Sequence, residues 1–452
     1  MKRALIDSLQ AATRLLVDSV SYSNPLPEWS EPAVDYDERE TFLSSRVDEY
    51  LAGRRKPKEG ITIEVPRKTG AAKTWLVPTV NDQILLQACA LRLAETVEAH
   101  AKVDYSRVFS YQFNRQPGRL AFTQDQMTSW DGFVEETKRR LSGRQMLQFD
   151  IEQAFPSVDV ERFLAFYRKL AGNGDEVELL SVLLHNAARP VKGLPLINDS
   201  IFYLGNVYFT VFDDIVRNHT GDFIRFVDDY RIFGDSRSKL EQMFESINRA
   251  LTTAGFRTNP RKTRLGDEDD FFEAVRAAEA AARTEKGTEE HADYGVPLVV
   301  GERVQPEVLA VLVASGVQGG TKLTEGMGRF LMQWVRRLSV GPSPVARAQF
   351  EVFRDRLNRA LDVDATNQTL TLLANEPSGD WRFIWMLYIA ENVWEPGKAF
   401  APFLRVVDDG KLSLVARCWL NRFRGRETKA TIDTSSLLDM SYLEVGQALY
   451  GA

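Results

Sequence analysis

Two adjacent aspartates, Asp228 and Asp229, lie between two short runs of mostly apolar residues, 223–227 and 230–233. This pattern predicts two short strands joined by a tight turn that carries the acids. Adjacent carboxylates on so apolar a hairpin repel each other and resist desolvation, so the pair is costly unless a cation is bound. A divalent metal ion would remove both penalties. The alternative is an ordinary turn, since aspartate favours turns.

A third carboxylate follows another apolar run. Residues 146–149 lead into Asp150, which predicts a buried strand ending in an acid, and an amphipathic helix is predicted at 159–171. An acid at a strand end, beside an Asp-Asp hairpin, can complete a two-metal site for in-line phosphoryl transfer. Mg²⁺ prefers oxygen ligands and keeps part of its water shell. We therefore expect Asp150, Asp228 and Asp229 to bind two Mg²⁺ ions as the catalytic acids.

The sequence around these acids resembles the reverse transcriptase family. Five segments are similar to the family's motifs and follow its order: a fingers segment at 73–83, motif A from Asp150 to Phe155, motif B at 193–208, motif C at 226–229 and motif D at 254–263. The resemblance covers residues 60–265. It implies an α+β right-hand polymerase of fingers and palm that adds deoxynucleotides, taken from deoxynucleoside triphosphates, to a DNA product and releases pyrophosphate.

The resemblance also implies roles for further residues. Lys73 stands where the family has an arginine on the triphosphate, and Lys68 belongs to the same basic, nucleotide-binding segment. The backbone carbonyl of Ile151 is implied as an additional metal ligand. Phe155 occupies the position of the family's steric gate against a ribose 2′-hydroxyl. Lys262 corresponds to the lysine that protonates the leaving pyrophosphate.

Motif B departs from the family's pattern. Templated reverse transcriptases continue after the motif B proline with glutamine and glycine, whereas Pro195 is followed here by Leu196 and Ile197. A branched aliphatic side chain cannot donate hydrogen bonds or allow the same close backbone approach. With Leu196 in the nucleotide-binding pocket, we expect atypical template use or none.

One more segment narrows the resemblance. Residues 103–114 are similar to the fingers of the bacterial abortive-infection and "unknown group" reverse transcriptases, which act in antiviral (anti-phage) defence and carry a long helical C-terminal extension. A non-coding RNA is the template that this group implies, if one is used. Two alternatives stay open. One is a conventional RNA-templated reverse transcriptase, retron- or intron-like, and the other is a non-catalytic scaffold that binds RNA or protein.

Length and composition are those of an intracellular protein of several domains. The chain has 452 residues, of which 44% are hydrophobic and only two are cysteines. Without an apolar run long enough to span a bilayer, we expect a cytoplasmic protein with no membrane contact. The expected organisation is an N-terminal helical segment (1–55), fingers and palm (56–265), an acidic helix and linker (266–300) and an all-α, repeat-like C-terminal domain (301–452).

Charge is distributed unevenly along the chain. The net charge is −6, but basic residues cluster at 54–73 and at 417–429. We expect these clusters to form a local groove for nucleic acid rather than an extended basic surface, with solvated helix faces as the alternative. The C-terminal helices offer a surface for self-association or for a partner protein.

Overall fold

The computed structural model describes most of the first 271 residues and one helix near the C-terminus. The described stretches are 36–66, 72–101, 103–116, 119–121, 126–189, 192–195, 199–271 and 362–375, with isolated residues within 5–12 and 351–420. Within them the fold is mixed α+β. Across these stretches, no helix combines the length and the apolar character needed to cross a lipid bilayer.

The helices and strands alternate irregularly along the chain. The helices are α1 (Tyr36–Leu51), α2 (Val80–His100), α3 (Gln126–Leu141), α4 (Val160–Ala171), α5 (Asp175–Asn186), α6 (Asp199–Tyr208), α7 (Thr210–Arg217), α8 (Arg237–Thr253) and α9 (Val363–Asn375). The strands are β1 (Ile61–Pro66), β2 (Ala72–Val77), β3 (Asn114–Gln116), β4 (Arg119–Ala121), β5 (Gln145–Asp150), β6 (Phe223–Phe226), β7 (Asp229–Gly234) and β8 (Arg264–Gly266).

A four-stranded sheet of order β6-β7-β5-β8 lies at the centre, and all its neighbouring strands are antiparallel. The strand predicted to end in Asp150 and the hairpin predicted around the aspartate pair are both present. The hairpin joins β6 to β7, and β5 pairs with β7 along its whole length. Segments that are far apart in sequence are therefore held side by side.

Each face of this sheet is covered by a helix, because alternate side chains of a strand point to opposite faces. On one face Phe149 stacks on Tyr230 with ring centroids 5.2 Å apart and meets Phe244 of α8 at 5.7 Å. On the other face Phe233 joins a small core beneath α3 that includes Phe133. The two helices thus fix the sheet from both sides.

A nearly buried helix, α2, supports the other half of the molecule, together with the antiparallel hairpin β1–β2. At its N-terminus the Thr79 hydroxyl accepts a hydrogen bond from the Asp82 backbone N–H at 3.1 Å, as an N-cap does. Tyr50 of α1 donates to the same Asp82 carboxylate at 3.1 Å. The Asp82 carboxylate therefore ties α1, in the predicted N-terminal helical segment, to α2, in the segment predicted as fingers.

One predicted helix is divided in two. The sequence predicts a single helix from Ser200 to Arg217, whereas the structure has α6 and α7 with Phe209 between them. The Phe209 ring packs against Phe155 and Phe212, with centroids 5.2 Å away in each case. Packing of this ring accompanies the interruption between the two helices, and α7 then contacts the central hairpin. The predicted helix at 159–171 is confirmed as α4.

Several predictions fall on residues outside the described stretches. Lys68 and Leu196 are among them, as are most of the predicted linker at 266–300 and most of the predicted domain at 301–452. Of the two terminal segments, α1 and α9 are the described helices.

Gly193 holds the chain close to the turn after β5. Its φ is +69°, and a Cβ at this position would lie 2.4 Å from the Pro156 carbonyl oxygen and 2.5 Å from that of Phe155. The next residue, Leu194, donates its N–H to the Phe155 carbonyl at 2.9 Å. Only glycine combines this backbone conformation with such a close approach.

Replacing Gly193 with alanine is therefore expected to lower the free energy of unfolding by about 3 kcal/mol, because left-handed strain and backbone overlap add. Gly143→Ala is the matched control, since Gly143 has the same φ of +69° but nothing within 4 Å of its added Cβ. The control is expected to cost roughly 1–2 kcal/mol from strain alone. Urea unfolding of both variants measures the difference, and equal losses would contradict it.

Candidate active site

The three predicted catalytic acids meet at one end of the central sheet. Asp150 is the last residue of β5, and its register partner is Asp229, the first residue of β7. Asp228 lies in the turn between β6 and β7, and its carbonyl accepts a hydrogen bond from the Ile151 N–H at 3.1 Å. Two segments that are 78 positions apart in sequence, 150 and 228, thus bring their carboxylates together.

The turn that carries Asp228 is built on strained backbone. Val227 has a φ of +56°, a left-handed conformation that is a genuine outlier for a β-branched residue. Such strain persists only where the surroundings determine the conformation, and it concentrates at functional sites.

A buried arginine lies directly behind this turn. Arg225 of β6 is fully buried and forms a bidentate ion pair with Asp213 of α7, at 2.7 Å and 2.8 Å. Its other bonds go to both the side chain and the backbone carbonyl of Asn206 and, at 2.9 Å, to the Val227 carbonyl. All five guanidinium N–H donors are therefore satisfied, as a buried charge requires. Tyr230 completes the group by donating to Asp213 at 2.8 Å.

The electrostatics of the acids reflect their crowding. Burial, and then the charge of Asp150, raise the pKa of Asp228 to about 7. Burial also raises the pKa of Asp229 to about 6, against the opposing effect of Arg231 and with a further contribution from Asp150. Without a bound cation, these carboxylates therefore resist ionising together.

Asp229 is held from the side by two residues of the sheet. The Gln148 side-chain amide donates to both of its oxygens, at 3.2 Å and 3.4 Å, and the Arg231 guanidinium is 4.0 Å away. Arg231 in turn donates to the Thr137 hydroxyl at 2.6 Å and lies 4.1 Å from the Phe133 ring centroid. Gln148 and Arg231 thereby fix the position of this carboxylate.

Lys262 forms an ion pair with Asp150. Its Nζ lies 3.0 Å from the Asp150 carboxylate oxygen, and half of its side chain is exposed. Burial opposes the charged form, but Asp150 and the other two acids outweigh it and raise the pKa of Lys262. The ammonium group is therefore protonated at neutral pH and balances one of the three negative charges.

The donor set fits magnesium in its chemistry. Three carboxylates from two chain segments supply the hard oxygen ligands that Mg²⁺ prefers, and Mg²⁺ usually takes only one or two carboxylates together with water and substrate phosphates. Among the described residues, no three His, Cys, Asp or Glu side chains are already gathered around one ion position. Asp150 is engaged by Lys262, and Asp229 by Gln148. Metal binding would therefore require these bonds to rearrange.

The carbonyl of Ile151, also predicted as a ligand, lies beside the acids. The Glu152 N–H donates to the Arg257 carbonyl at 2.7 Å and the Asn259 N–H to the Asp150 carbonyl at 2.8 Å, which brackets an antiparallel bridge between Ile151 and Thr258. Neither bond uses the Ile151 carbonyl. The loop that carries Lys262 is thus attached to the end of β5.

Phe155 and Lys73 lie on different parts of the fold. Phe155 is 6% exposed, and its ring packs edge-on against Phe202 and Phe209. A Cβ on Gly205 would lie 2.4 Å from this ring, so glycine makes the space that the ring occupies. The backbone of Lys73 lies in β2 opposite Val65.

Sequence reasoning missed the residues that position the acids. Arg225 and Arg231 are the charged residues in otherwise apolar strands, and each proves to be buried beside the aspartates. A charge in a strand that is apolar on both sides needs a buried partner, and this signal could have found them. Their partners Asp213 and Gln148 look like ordinary polar residues of a helix and a strand, and only the fold identifies them.

Comparison with known proteins gives no family assignment: no protein-family model matches the chain, and no curated protein matches it significantly.

The raised pKa values predict how stability depends on pH. Because Asp228 and Asp229 bind protons more tightly in the folded chain than in the unfolded chain, the contribution of these two groups to the stability of metal-free protein should fall as pH rises from about 4 to about 7. Asp228→Asn removes this penalty and should stabilise metal-free protein at pH 8 by on the order of 1–3 kcal/mol, with little effect at pH 4. Thermal unfolding of the wild type and the variant in EDTA, at pH 4 and at pH 8, measures these stability differences.

Asp235→Asn is the matched control, because Asp235 is 89% exposed and pairs with Arg144 at the surface. It should leave the pH profile unchanged. An Asp228→Asn protein whose stability relative to the wild type is the same at pH 8 as at pH 4 would contradict the prediction.

Proposed function

We propose that this protein is a reverse-transcriptase-like nucleotidyltransferase that adds deoxynucleotides to a DNA product by two-metal phosphoryl transfer, in antiviral defence and with atypical template use or none. The observation that carries the proposal is the register of the central sheet, in which Asp150 is opposite Asp229 and next to Asp228. Their pairing supports a shared cation site more strongly than an acidic turn alone would.

The arrangement of the other motif segments supports the same proposal. The segment that resembles motif D leads into β8, which pairs with β5, and the segment that resembles motif B contains α6. Residues 107–109, from the segment similar to defence-associated enzymes, form a parallel bridge with β6 through Val108 and Arg225. These three segments thus contact β5 or β6 close to the acids.

In the proposed reaction Asp150 and Asp228 would hold the metal ions, with Asp229 and the Ile151 carbonyl as further ligands. Bound Mg²⁺ supplies a lowered pKa at the attacking hydroxyl and neutralises charge developing on the phosphate. Phe155 bounds the sugar pocket. Lys262, protonated and half exposed, carries a proton on its Nζ that it can give to the leaving pyrophosphate.

Nucleic acid is proposed to bind beside the fingers hairpin. The segment 54–58 connects α1 to β1, and Arg54, Lys56 and Lys58 are exposed there. Basic side chains at such a position can contact phosphates while the net charge of the whole chain stays negative. The role of the C-terminal helices as a surface for a partner or for self-association remains part of the proposal.

Incubation of the purified full chain with Mg²⁺ and labelled deoxynucleotides, with and without an RNA template, tests the proposal. Product is expected, and Asp150→Asn or Asp228→Asn should reduce it at least about a hundredfold because each removes a metal ligand. Asp235→Asn, which changes an exposed acid at the far end of β7, should retain activity. Product without template supports atypical synthesis.

Other outcomes favour the alternatives. Product that requires the RNA template indicates a conventional reverse transcriptase. No product under any condition, with no magnesium-dependent change in stability, contradicts the proposal and favours a scaffold that binds RNA or protein.

Sugar selectivity gives a second test. Phe155→Ala is expected to increase the relative kcat/KM for ribonucleotides roughly ten- to a hundredfold, since an apolar pocket discriminates on this scale. Phe166→Ala, in α4 and partly buried, controls for loss of an aromatic ring elsewhere. Incorporation of ribo- and deoxynucleotides is measured for both variants. Unchanged selectivity in Phe155→Ala would remove the assignment of this ring to the sugar pocket.

A further inference from the structure

The strained peptide before the acids is held by hydrogen bonds on both sides of Val227. Its N–H donates to the Ser110 hydroxyl at 2.8 Å, and its carbonyl accepts from Arg225 at 2.9 Å. Both partners are buried, at 1% and 0% exposure. These two hydrogen bonds hold Val227 at its unfavourable φ of +56°, because a change in this conformation would break a buried hydrogen bond to Ser110 or Arg225.

Ser110 is itself fixed by a residue of α6. Its hydroxyl donates to the Asn206 side-chain oxygen at 3.0 Å, while the Asn206 amide nitrogen donates to the Ser110 carbonyl at 2.8 Å and to the Tyr111 carbonyl at 3.2 Å. Tyr111 also has a positive φ, of 38°. Asn206 therefore links two strained backbone positions, Tyr111 in the loop before β3 and Val227 in the turn of the hairpin. Its link to Val227 also runs through Arg225, which donates hydrogen bonds to both residues.

We infer that Ser110 and Arg225 form a clamp on Val227 that positions Asp228 for metal binding, an inference that rests on the proposed function. The clamp acts through the backbone, since Val227 immediately precedes Asp228 and its φ decides where that carboxylate points. Ser110 and Arg225 are positioning residues in this scheme: they contact the turn and not the metal, and they act by restricting the orientations open to Asp228.

The geometry distinguishes this role from a simple contribution to stability. A turn selected only for stability would carry glycine or asparagine at a left-handed position. Val227 is instead held in a conformation that its own side chain disfavours. Glycine at this position should relieve the strain but widen the range of turn conformations, so stability and function should respond in opposite directions.

Two pairs of variants test the clamp. Ser110→Ala removes the hydroxyl that accepts from Val227, and Ser106→Ala removes an exposed hydroxyl that bonds to Asp104 in the same loop. Val227→Gly frees the backbone, and Val227→Ala removes the same methyl groups while keeping a Cβ. Each is made in the full-length chain.

Ser110→Ala and Val227→Gly are each expected to lower kcat about tenfold and to weaken Mn²⁺ binding, measured by electron paramagnetic resonance, by about tenfold, as loss of a partner behind a metal ligand does. The KM for deoxynucleotide should change little, since nothing in the clamp contacts the nucleotide. Val227→Gly should keep or raise the Tm, Val227→Ala should lose less activity than Val227→Gly, and Ser106→Ala should match the wild type.

Wild-type rates and Mn²⁺ affinities in both Ser110→Ala and Val227→Gly would overturn the clamp while leaving the proposed function intact. A Val227→Gly protein that unfolds at a lower Tm would also overturn it, by indicating a structural role. If Ser110→Ala fails to fold, Val227→Gly decides alone. If the wild type binds Mn²⁺ but does not polymerise, the proposed activity is contradicted. The Mn²⁺ affinities of the variants then decide whether the clamp positions Asp228. A wild type that binds no Mn²⁺ overturns both.

Discussion

Mutual repulsion of three carboxylates at one end of a sheet is the constraint around which the rest of the structure is organised. The register of β5 and β7 makes Asp150 and Asp229 neighbours, and the hairpin turn adds Asp228. Burial and the charge of Asp150 raise the pKa of Asp228, so the arrangement is unfavourable for the folded chain alone. Lys262 offsets only part of this charge. An arrangement that costs stability without a cation is characteristic of a functional site.

The ion pair behind the turn contributes more to geometry than to stability. A buried pair gains Coulomb energy but loses the hydration of both charges, and the two effects nearly cancel. What the Arg225–Asp213 pair provides is direction: every N–H of the guanidinium has a fixed partner on α6, α7 or the hairpin. An apolar replacement could fill the same volume, but it could not hold the carbonyl of Val227. The network therefore connects helix packing to the conformation of one peptide.

Local patterns in the sequence predict the parts of this site that depend on local physics. Short apolar runs predict β5 and the β6–β7 hairpin, and turn chemistry predicts acids at its tip, since these depend on residues within a few positions. The division between α6 and α7 at Phe209 depends on how aromatic rings pack in three dimensions, and no periodicity encodes it. Asp213 and Ser110 lie far from the hairpin turn in sequence or on other elements, so their roles as partners of Arg225 and Val227 become visible only when the chain folds.

Lys262 connects the metal-free arrangement to the proposed chemistry. It lies in the short loop between Asn259, whose N–H is bonded to the end of β5, and β8, so its backbone is anchored while half of its side chain is exposed. The ammonium can therefore leave Asp150 without disturbing the sheet. Under the proposed function, one positive charge on a flexible side chain is exchanged for a divalent ion, and the released Nζ stays within a side-chain length of the acids. The same residue then balances charge before metal binding and carries a proton after it.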